Sequence, residues 1–341
     1  MSTPLLEVQD LRVTFLARRR RPPARAVDGL DLTVQRGEIV ALVGESGCGK
    51  STLARVLVGL VKPTGGAVRY DGQPLSHRSA ALKAHRRAVQ LILQDPYSAL
   101  NPRQTVYDAV AEGPRLHHLR SDLRDRVSES LSRAGLRPPE QFFGRYPFEL
   151  SGGQQQRVVI ASALALQPSM LVADEPVASL DASVRGEILA LILRLREELG
   201  LSALVISHDL GLAWNIADRV AVMYLGRIVE QGKVEDVLQH PRHPYTRALL
   251  AVSPDADREA VPPLIAGEPP DPTAIPGGCR FHPRCPLREE LAARGVDVSS
   301  CQTSDVTLAP VDGVEVACRF ADARAVQTAS SATPPAQTSS G

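Results

Sequence analysis

The most chemically informative segment of the chain is the glycine-rich stretch GESGCGKS at residues 44–51, which matches the pattern G-x-x-x-x-G-K-[ST]. Glycines let a backbone wrap around phosphate groups, a lysine at this position reaches the β- and γ-phosphates of a nucleotide, and the serine after it is a ligand for Mg²⁺. The stretch therefore predicts a nucleotide site formed by Gly44, Glu45, Ser46, Gly47, Cys48, Gly49, Lys50, Ser51 and Thr52.

Two adjacent carboxylates, Asp174 and Glu175, follow the apolar stretch SMLVA, which is typical of a buried strand. At the end of that strand both would lie at the sheet edge that holds the phosphates. We expect Asp174 to hold Mg²⁺, partly through water, and Glu175 to polarise the attacking water as a general base. The alternative is a helix cap, which is the commoner role of an acidic pair at a strand end.

A second glycine-containing segment, LSGGQQQRV at residues 150–158, places Ser151, Gly152 and Gly153 at the start of a predicted helix, followed by Gln154. A helix N-terminus can bind an anion. The phosphates held by the first loop cannot also occupy this second segment. Two phosphate-binding segments in one chain therefore suggest a sandwich dimer.

Two single polar residues end apolar stretches elsewhere in the chain. Gln94 follows AVQLIL and could sense Mg²⁺ and the nucleophilic water, whereas His208 follows SALVIS and could contact the γ-phosphate. A lone glutamine or histidine is more often structural. Their order and spacing relative to the other motifs favour the functional interpretation.

Cysteines cluster near the C-terminus, where Cys279, Cys285, Cys301 and Cys318 have the spacing C-x5-C-x15-C-x16-C. Four thiolates can hold a [4Fe–4S] cluster or a zinc ion, and buried thiols are the third alternative. The segment has few apolar residues, so we expect the cysteines to staple it. Because it lies beyond a proline-rich passage, we expect a structural or redox-sensing role and no part in hydrolysis. The fifth cysteine, Cys48, is expected to fill a small loop position, with redox control as the alternative.

Alternating strands and helices must position these residues. LEVQDLRVTF, LDLTV and EIVALVG are predicted strands, and STLARVLVGL is a predicted helix after the phosphate loop. Helical periodicity over about residues 95–165 predicts an inserted helical lobe. SMLVADEP and SALVIS are further strands that imply a parallel sheet with ligands at its carboxyl edge. Between them Asp181 can cap a helix that ends at Gly200 and has Ile188, Leu191, Ile192, Leu195 and Leu199 on one face.

Composition limits the class of protein. The 341 residues include 39 Lys and Arg against 38 Asp and Glu, a net charge of +1 that gives no global support for a nucleic-acid protein. No run approaches the roughly 18 apolar residues needed to span a bilayer, and the N-terminus lacks a signal-peptide pattern, so we expect a soluble protein inside the cell. The basic stretch at residues 17–25 is expected to be a solvated loop, with contact to lipid headgroups or a membrane partner as the alternative.

Together these motifs resemble the ATP-binding cassette family over roughly residues 5–250. Walker-A is GESGCGKST, the Q-loop LQDPYSALNPR, the signature LSGGQ, Walker-B LVADE, the D-loop SLD ending at Asp181, and the switch His208. The resemblance implies an α/β fold with a RecA-like P-loop core, an N-terminal antiparallel β-subdomain and a helical subdomain. It also implies a head-to-tail dimer that clasps ATP and Mg²⁺, and an aromatic side chain near the N-terminus, here Phe15, that stacks on adenine.

The segments QDPYSALNPR, ADEPVASLD and HPRHPYTRALL resemble more closely the oligopeptide/dipeptide importer ATPases, especially the second of two unlike subunits. That resemblance implies a second ATPase subunit, two permeases that dock near Gln94, a substrate-binding protein outside the membrane and a place at its cytoplasmic face. It favours iron–sulfur for the cysteines. The predicted domains are a cassette at residues 1–255, a cysteine lobe at 256–325 and a disordered tail at 326–341.

Other functions stay open at this point. A soluble cassette ATPase acting on nucleic acid or ribosomes usually has two cassettes or long insertions, which the chain lacks. A purely regulatory ATP-binding module would be favoured by a damaged Glu175 or His208, and both are intact. The motifs do not select among dipeptides, oligopeptides and nickel, because selectivity resides in other subunits.

Overall fold

The computed structural model describes residues 3–16, 22–251 and 271–321. Four of the predictions fall wholly or partly elsewhere, and one of them is the predicted boundary between cassette and lobe at residues 255/256. The arginines at 18–21, residues 261–270 of the proline-rich passage, and the predicted tail at 326–341 lie outside the described residues.

Two β-sheets contain the described strands, and the apolar stretches singled out in the sequence all form strands. The strands are β1 Leu6–Phe15, β2 Ala24–Val34, β3 Ile39–Val43, β4 Gly65–Tyr70, β5 Gln73–Pro74, β6 Val89–Ile92, β7 Met170–Asp174, β8 Ser202–Ser207, β9 Arg219–Tyr224, β10 Arg227–Lys233, β11 Ala309–Val311 and β12 Val314–Val316. The smaller sheet has the order β2-β1-β4-β5 and is antiparallel, as the family resemblance implied.

The larger sheet has the order β11-β12-β10-β9-β3-β8-β7-β6. Strands β9, β3, β8, β7 and β6 are parallel, whereas β10 returns antiparallel to β9 as a hairpin. Because the parallel strands run in one direction, the carboxyl ends of β3, β6, β7 and β8 lie at the same edge of the sheet. The phosphate loop and the predicted acidic and polar residues follow these strand ends, so the sheet alone brings them together.

Helices cover the sheet and form the inserted lobe. They are α1 Lys50–Leu57, α2 Ser79–Ala88, α3 Pro96–Ala99, α4 Val106–Leu116, α5 Leu123–Arg133, α6 Gly152–Leu164, α7 Ala182–Leu199, α8 Leu210–Ile216, α9 Val234–Gln239, α10 Pro244–Ala251, α11 Pro286–Ala293 and α12 Ser300–Thr303, with 3₁₀ turns at Pro139–Gln141, Pro147–Glu149 and His282–Arg284. Helices α3 to α6 form the helical lobe predicted for residues 95–165. In the described residues, no helix is long and apolar enough to cross a membrane.

Helix α7 shows where local sequence predicts structure and where it does not. Asp181 stands at the N-cap position, yet its side chain accepts no capping hydrogen bond, so the predicted side-chain cap is wrong. Gly200 ends the helix in the left-handed conformation with φ 64°, as predicted. Four of the five apolar residues are buried, but Leu199 is 36% exposed because the last turn projects beyond the core.

The core lies in two layers on opposite faces of the larger sheet. Within β3, Ile39, Ala41 and Val43 face the layer beneath the helical lobe, whereas Val40 and Leu42 face the layer shared with α1 and the smaller sheet. This alternation is the two-residue period of a strand. A strand covered on both faces becomes apolar throughout, as IVALV is.

The cysteine lobe shares the core of the cassette. Strand β12 pairs with β10, and it extends the larger sheet through the register Glu230↔Val316. Phe281 is 1% exposed and contacts two buried rings, that of Tyr224 edge to face and that of Tyr245 at a tilt of 58°, with both centroids at 5.3 Å. We expected the lobe to need its cysteines as a staple because it has few apolar residues. The structure shows that the cassette supplies the apolar surface that the lobe lacks.

Phe281→Ala tests this shared core. Removing a buried aromatic side chain costs about 3–5 kcal/mol of the free energy of unfolding, so the denaturation midpoint of the full chain should fall markedly. Phe148→Ala is the matched control, since Phe148 is 72% exposed and its loss should change stability by less than about 0.5 kcal/mol. Equal midpoints for the two variants would show that the lobe does not stabilise the cassette.

Candidate functional site

The phosphate loop joins β3 to α1 and is wedged between two backbone segments. At Gly44 a Cβ atom would lie 2.2 Å from the carbonyl oxygen of Met223, and at Gly49 it would lie 2.1 Å from that of Ala26. Both glycines also have positive φ, 156° and 112°. A side chain at either position would therefore clash with backbone and strain the loop, which explains why the pattern requires glycine there.

Lys50 begins α1 and is 6% exposed. Its ammonium group donates hydrogen bonds to the carbonyl oxygens of Gly44 at 2.6 Å and Glu45 at 2.9 Å. Two loop carbonyls thus orient the buried cation across the loop. The lysine holds the curved loop together while its charge stands at the centre of the anion site.

Asp174 ends β7 and shares a hydrogen bond with the side chain of Ser51 at the start of α1. Burial raises the pKa of Asp174, an effect that the hydrogen bond to Ser51 partly opposes. A carboxylate and a hydroxyl in contact are oxygen donors of the kind that Mg²⁺ prefers. The structure therefore brings together the two residues that the sequence assigned to magnesium.

Glu175 follows Asp174 with φ 50°, a left-handed conformation that is costly for a residue with a side chain. Its backbone N–H donates to the carbonyl oxygen of Ile206 at 2.9 Å, which holds this turn against β8. Its carboxylate accepts a hydrogen bond from Gln94 Nε2 at 3.2 Å, and the other oxygen lies 3.2 Å from His208 Nδ1. Strained backbone of this kind is typical of functional sites, where the neighbouring structure holds it in place.

These residues line one open cleft of about 530 Å³, large enough for a nucleotide. The lining residues are Ala26, Ser46, Gly47, Gly49, Lys50, Ser51, Thr52, Gln94, Glu175, His208 and Pro272. The sequence did not point to Ala26 and Pro272, which come from β2 and the beginning of the described lobe. Phe15, the predicted adenine-stacking residue, is 46% exposed at the end of β1 and does not line this cleft.

The second glycine-containing segment lies outside that cleft. Ser151 caps α6 by accepting a hydrogen bond from Gln154 N at 3.3 Å, and Gln154 Oε1 accepts one from Ser151 N at 3.1 Å. A Cβ atom on Gly153 would lie 2.7 Å from a methyl carbon of Val184, so α7 packs closely here. Ser151 is exposed, as is Asp181, while Gly152 and Gly153 are partly exposed. The segment therefore presents a capped helix N-terminus to solvent.

Cys48 is a buried thiol in the phosphate loop, 6% exposed. Burial raises its pKa, and this effect exceeds the opposite influence of the neighbouring Lys50 ammonium. The thiol is thus held protonated and unreactive. This supports the interpretation of Cys48 as a residue that fills a small position.

The four C-terminal cysteines line a single cavity in the lobe, together with His243 and Phe281. All four are free thiols whose pKa burial raises, to about 11 for Cys285 and about 12 for Cys318. The other cysteines add to this rise at both residues. Across the described part of the chain, no three His, Cys, Asp or Glu side chains are arranged to bind a metal ion. The tertiary fold therefore gathers the thiols without forming a ready single-ion site.

The lobe also contacts the phosphate loop, which the sequence did not indicate. Arg284 donates from both terminal nitrogens to the Glu45 carboxylate, at 2.9 and 3.2 Å, and Tyr245 OH accepts a hydrogen bond from Glu45 N at 2.8 Å. The lobe, which a proline-rich passage separates from the nucleotide residues in the sequence, therefore contacts the phosphate loop directly. The lobe and the phosphate loop are far apart in the sequence, so the sequence alone gives no sign of this contact.

A parallel sheet whose carboxyl edge carries a glycine-rich phosphate loop, a buried lysine, Asp174, and Glu175 in contact with Gln94 and His208 defines a P-loop nucleotide-binding ATPase. Comparison with protein-family models agrees. Residues 27–178 match the ABC transporter family, and residues 229–291 match the C-terminal region of oligopeptide/dipeptide transporters.

Curated relatives extend this match over most of the chain. The oligopeptide transport ATP-binding protein OppF of Salmonella typhimurium is 44% identical over 298 residues, covering 83% of this chain and 89% of the relative. The dipeptide transport ATP-binding protein DppF of Escherichia coli is 42% identical over 300 residues, covering 84% and 88%. The chain therefore belongs to the ABC transporter family, among the ATP-binding proteins of oligopeptide and dipeptide transporters.

Solved structures share the cassette fold. The cbiO1 protein from Clostridium perfringens, part of the ABC transporter complex cbiONQ, is 29% identical with a TM-score of 0.62, covering 70% of this chain and 92% of that one. The cassette MJ0796, in a dimeric post-hydrolysis state bound to ADP and Pi, is 29% identical with a TM-score of 0.60, covering 67% and 98%. These likenesses confirm the predicted α/β P-loop fold.

Proposed function

We propose that this chain is the ATP-binding and ATP-hydrolysing subunit that drives the import of peptides across the cytoplasmic membrane through an ABC transporter. One observation carries the proposal. The cleft that joins the phosphate loop to Gln94, Glu175 and His208 occurs in the same chain as a C-terminal region matched by oligopeptide/dipeptide transporters. The first feature supplies the ATPase, and the second selects peptide transport among its uses.

ATP binds with its phosphates against the loop at residues 44–52. The backbone N–H groups and the positive N-terminus of α1 face the phosphates, and Lys50 reaches the β- and γ-phosphates. Ser51, Asp174 and Gln94 would hold Mg²⁺, which neutralises charge on the phosphates when it is bound. The hydrogen bond between Ser51 and Asp174 supports this assignment, because it brings two oxygen donors together.

Hydrolysis needs a base beside the γ-phosphate. Glu175 accepts the proton of the attacking water, while Gln94 and His208 position the water and the phosphate. The distances of 3.2 Å from Glu175 to both partners support this assignment, since they orient the two carboxylate oxygens separately. The left-handed backbone at Glu175 aims the carboxylate into the cleft.

The ATP site is completed by a second ATPase subunit. Ser151, Gly152, Gly153 and Gln154 form a solvent-accessible helix N-terminus outside this chain's own cleft, which supports a role in binding the γ-phosphate of a partner's ATP. Asp181, exposed before α7, faces the same interface in a head-to-tail dimer. Resemblance to the second of two unlike subunits favours a heterodimer.

Two permeases dock on the cassette at the cytoplasmic face of the membrane, and a substrate-binding protein delivers peptide from the other side. A groove beside the helical lobe supports the docking site, since Leu93, next to Gln94, and Leu116 are exposed large apolar residues that line it. Closure of the ATPase dimer would move this groove. The near-neutral charge and the transporter C-terminal region leave nothing to favour action on nucleic acid or ribosomes.

The C-terminal thiols hold a [4Fe–4S] cluster in this proposal. All four line one cavity, which supports a shared ligand, and Cys285 precedes Pro286. Zinc is the weaker alternative, because zinc sites usually contain close C-x2–4-C pairs, which these four cysteines lack. Buried thiols without metal are the remaining alternative, supported by the raised pKa values of the four side chains.

Lys50→Ala should weaken ATP binding by roughly 10- to 100-fold, since hydrogen bonds to charged groups contribute about 1.5–3 kcal/mol. Fluorescent ATP titration of the purified chain measures this change. Lys62→Ala is the control, because it removes the same charge from an exposed position just after α1. Equal affinities for wild type and Lys50→Ala would contradict the assigned phosphate site.

Glu175→Gln should leave ATP affinity nearly unchanged but reduce turnover by roughly 10²- to 10⁴-fold, because it removes the base and keeps its shape. Hydrolysis and peptide uptake should be measured in proteoliposomes with the permeases, the second ATPase subunit and the binding protein. Glu198→Gln, in the exposed last turn of α7, should behave as wild type. Wild-type hydrolysis without peptide uptake would reject peptide import while retaining the ATPase.

Cys301→Ser should remove iron from anaerobically purified protein and abolish its brown colour while ATP binding persists. Iron analysis and visible absorbance measure the first effect, and Cys48→Ala should retain both because Cys48 lies in the phosphate loop outside the cavity. Colourless, iron-free wild-type protein would refute the cluster. Stoichiometric zinc in its place would establish the alternative.

A further inference from the structure

One side chain of the cysteine lobe reaches across to the phosphate loop. Arg284 directly precedes Cys285, and its Nη1 and Nη2 atoms lie 2.9 and 3.2 Å from the two carboxylate oxygens of Glu45. The pair joins segments 239 residues apart. Its geometry is the two-pronged contact by which guanidinium groups hold carboxylates in one orientation.

This ion pair differs from the exposed ion pairs elsewhere on the surface. The Arg284 and Glu45 side chains are 9% and 22% exposed, whereas the pair formed by Arg294 and Glu290 in the same lobe is 50% and 42% exposed. Water screens an exposed pair, which then contributes little. A largely dehydrated pair with two hydrogen bonds restrains both partners, and loss of either partner leaves a buried charge without its counterpart.

Glu45 transmits that restraint to the nucleotide site. Its carbonyl oxygen accepts a hydrogen bond from Lys50 Nζ at 2.9 Å, and its N–H donates to Tyr245 OH at 2.8 Å. The Glu45 side chain does not line the cleft, so its carboxylate does not contact phosphate directly. A shift of Glu45 would nevertheless move a carbonyl that orients the phosphate-binding lysine.

Arg284 is in turn held by the cysteine-bearing segment. It ends the 3₁₀ turn His282–Arg284, and His282 N donates to Cys279 O at 3.0 Å, while the His282 ring nitrogen Nδ1 lies 2.9 Å from that oxygen. Cys285 then begins helix α11 as its N-cap residue. The turn that carries Arg284 thus runs between two of the cysteines that line the lobe cavity.

We propose that Arg284 is a positioning residue of the nucleotide site, which holds the phosphate loop through Glu45 and couples that loop to the cysteine lobe. This inference rests on the proposed ATP site at the loop. Coupling between two sites is reciprocal, so bound nucleotide should stabilise the lobe as much as the lobe stabilises the loop. A residue that only stabilised the fold would not make nucleotide binding and the stability of the lobe depend on each other.

The first measurement is nucleotide affinity of the full chain. Arg284→Gln and Glu45→Gln should each weaken binding of a non-hydrolysable ATP analogue by about 10-fold, which corresponds to about 1.4 kcal/mol. The double variant should be no weaker than either single variant, because both remove the same interaction. Arg294→Gln, at the residue that directly follows α11, is the matched control and should bind as tightly as wild type.

The second measurement is amide hydrogen exchange over residues 279–289 with and without the analogue. Nucleotide should slow exchange there by at least about threefold in wild type and Arg294→Gln, and have no effect in Arg284→Gln, since local opening reports the coupling directly. If Arg284→Gln does not fold, Glu45→Gln removes the same ion pair without changing the lobe.

The outcomes separate the two proposals. Unchanged affinity in both single variants, or equal nucleotide protection of the lobe in wild type and Arg284→Gln, would overturn the positioning role while leaving the ATP site intact. Failure of wild type to bind the analogue at all would refute the ATP site itself and the coupling with it.

Discussion

The nucleotide site depends on one constraint, the wedging of the phosphate loop between two backbone carbonyls. A side chain on Gly44 would clash with Met223 O, and a side chain on Gly49 would clash with Ala26 O. The loop can therefore adopt this conformation only with glycine at both positions. This packing leaves Lys50 buried against two loop carbonyls. The carboxyl ends of β6, β7 and β8 then converge on the loop, because they run parallel to β3.

The conformation of Glu175 at the carboxyl edge of the sheet depends on the structure around it. Glu175 occupies a left-handed backbone conformation that would be unfavourable in isolation, and it is held there by the hydrogen bond from its N–H to Ile206 O. Gln94 and His208 reach its two oxygens from separate strand ends. Such an arrangement is preorganised, so binding of substrate need not first assemble it.

The cysteine lobe is part of the same structure rather than an appendage. Its hairpin continues the main sheet through β12, and Phe281 fills a pocket between Tyr224 and Tyr245. Tyr245 in turn bonds to the phosphate loop that Arg284 holds. This chain thus has a physical connection between the lobe and the phosphate loop. The connection includes the packed rings and the largely dehydrated ion pair of Arg284 and Glu45.

Local sequence determined the parts of this protein whose physics is local. The period of apolar residues predicted strands and helices, the glycine pattern predicted the phosphate loop, and strand ends placed Asp174, Glu175, Gln94 and His208 at one edge. Contacts between distant segments were decided only by the tertiary structure. Which surfaces pack together decides that Pro272 lines the cleft, that Arg284 contacts Glu45 and that Leu199 is exposed. The spacing of residues along the chain does not contain this information. Asp181 is a further example. It occupies the N-cap position of α7, but its side chain makes no capping hydrogen bond.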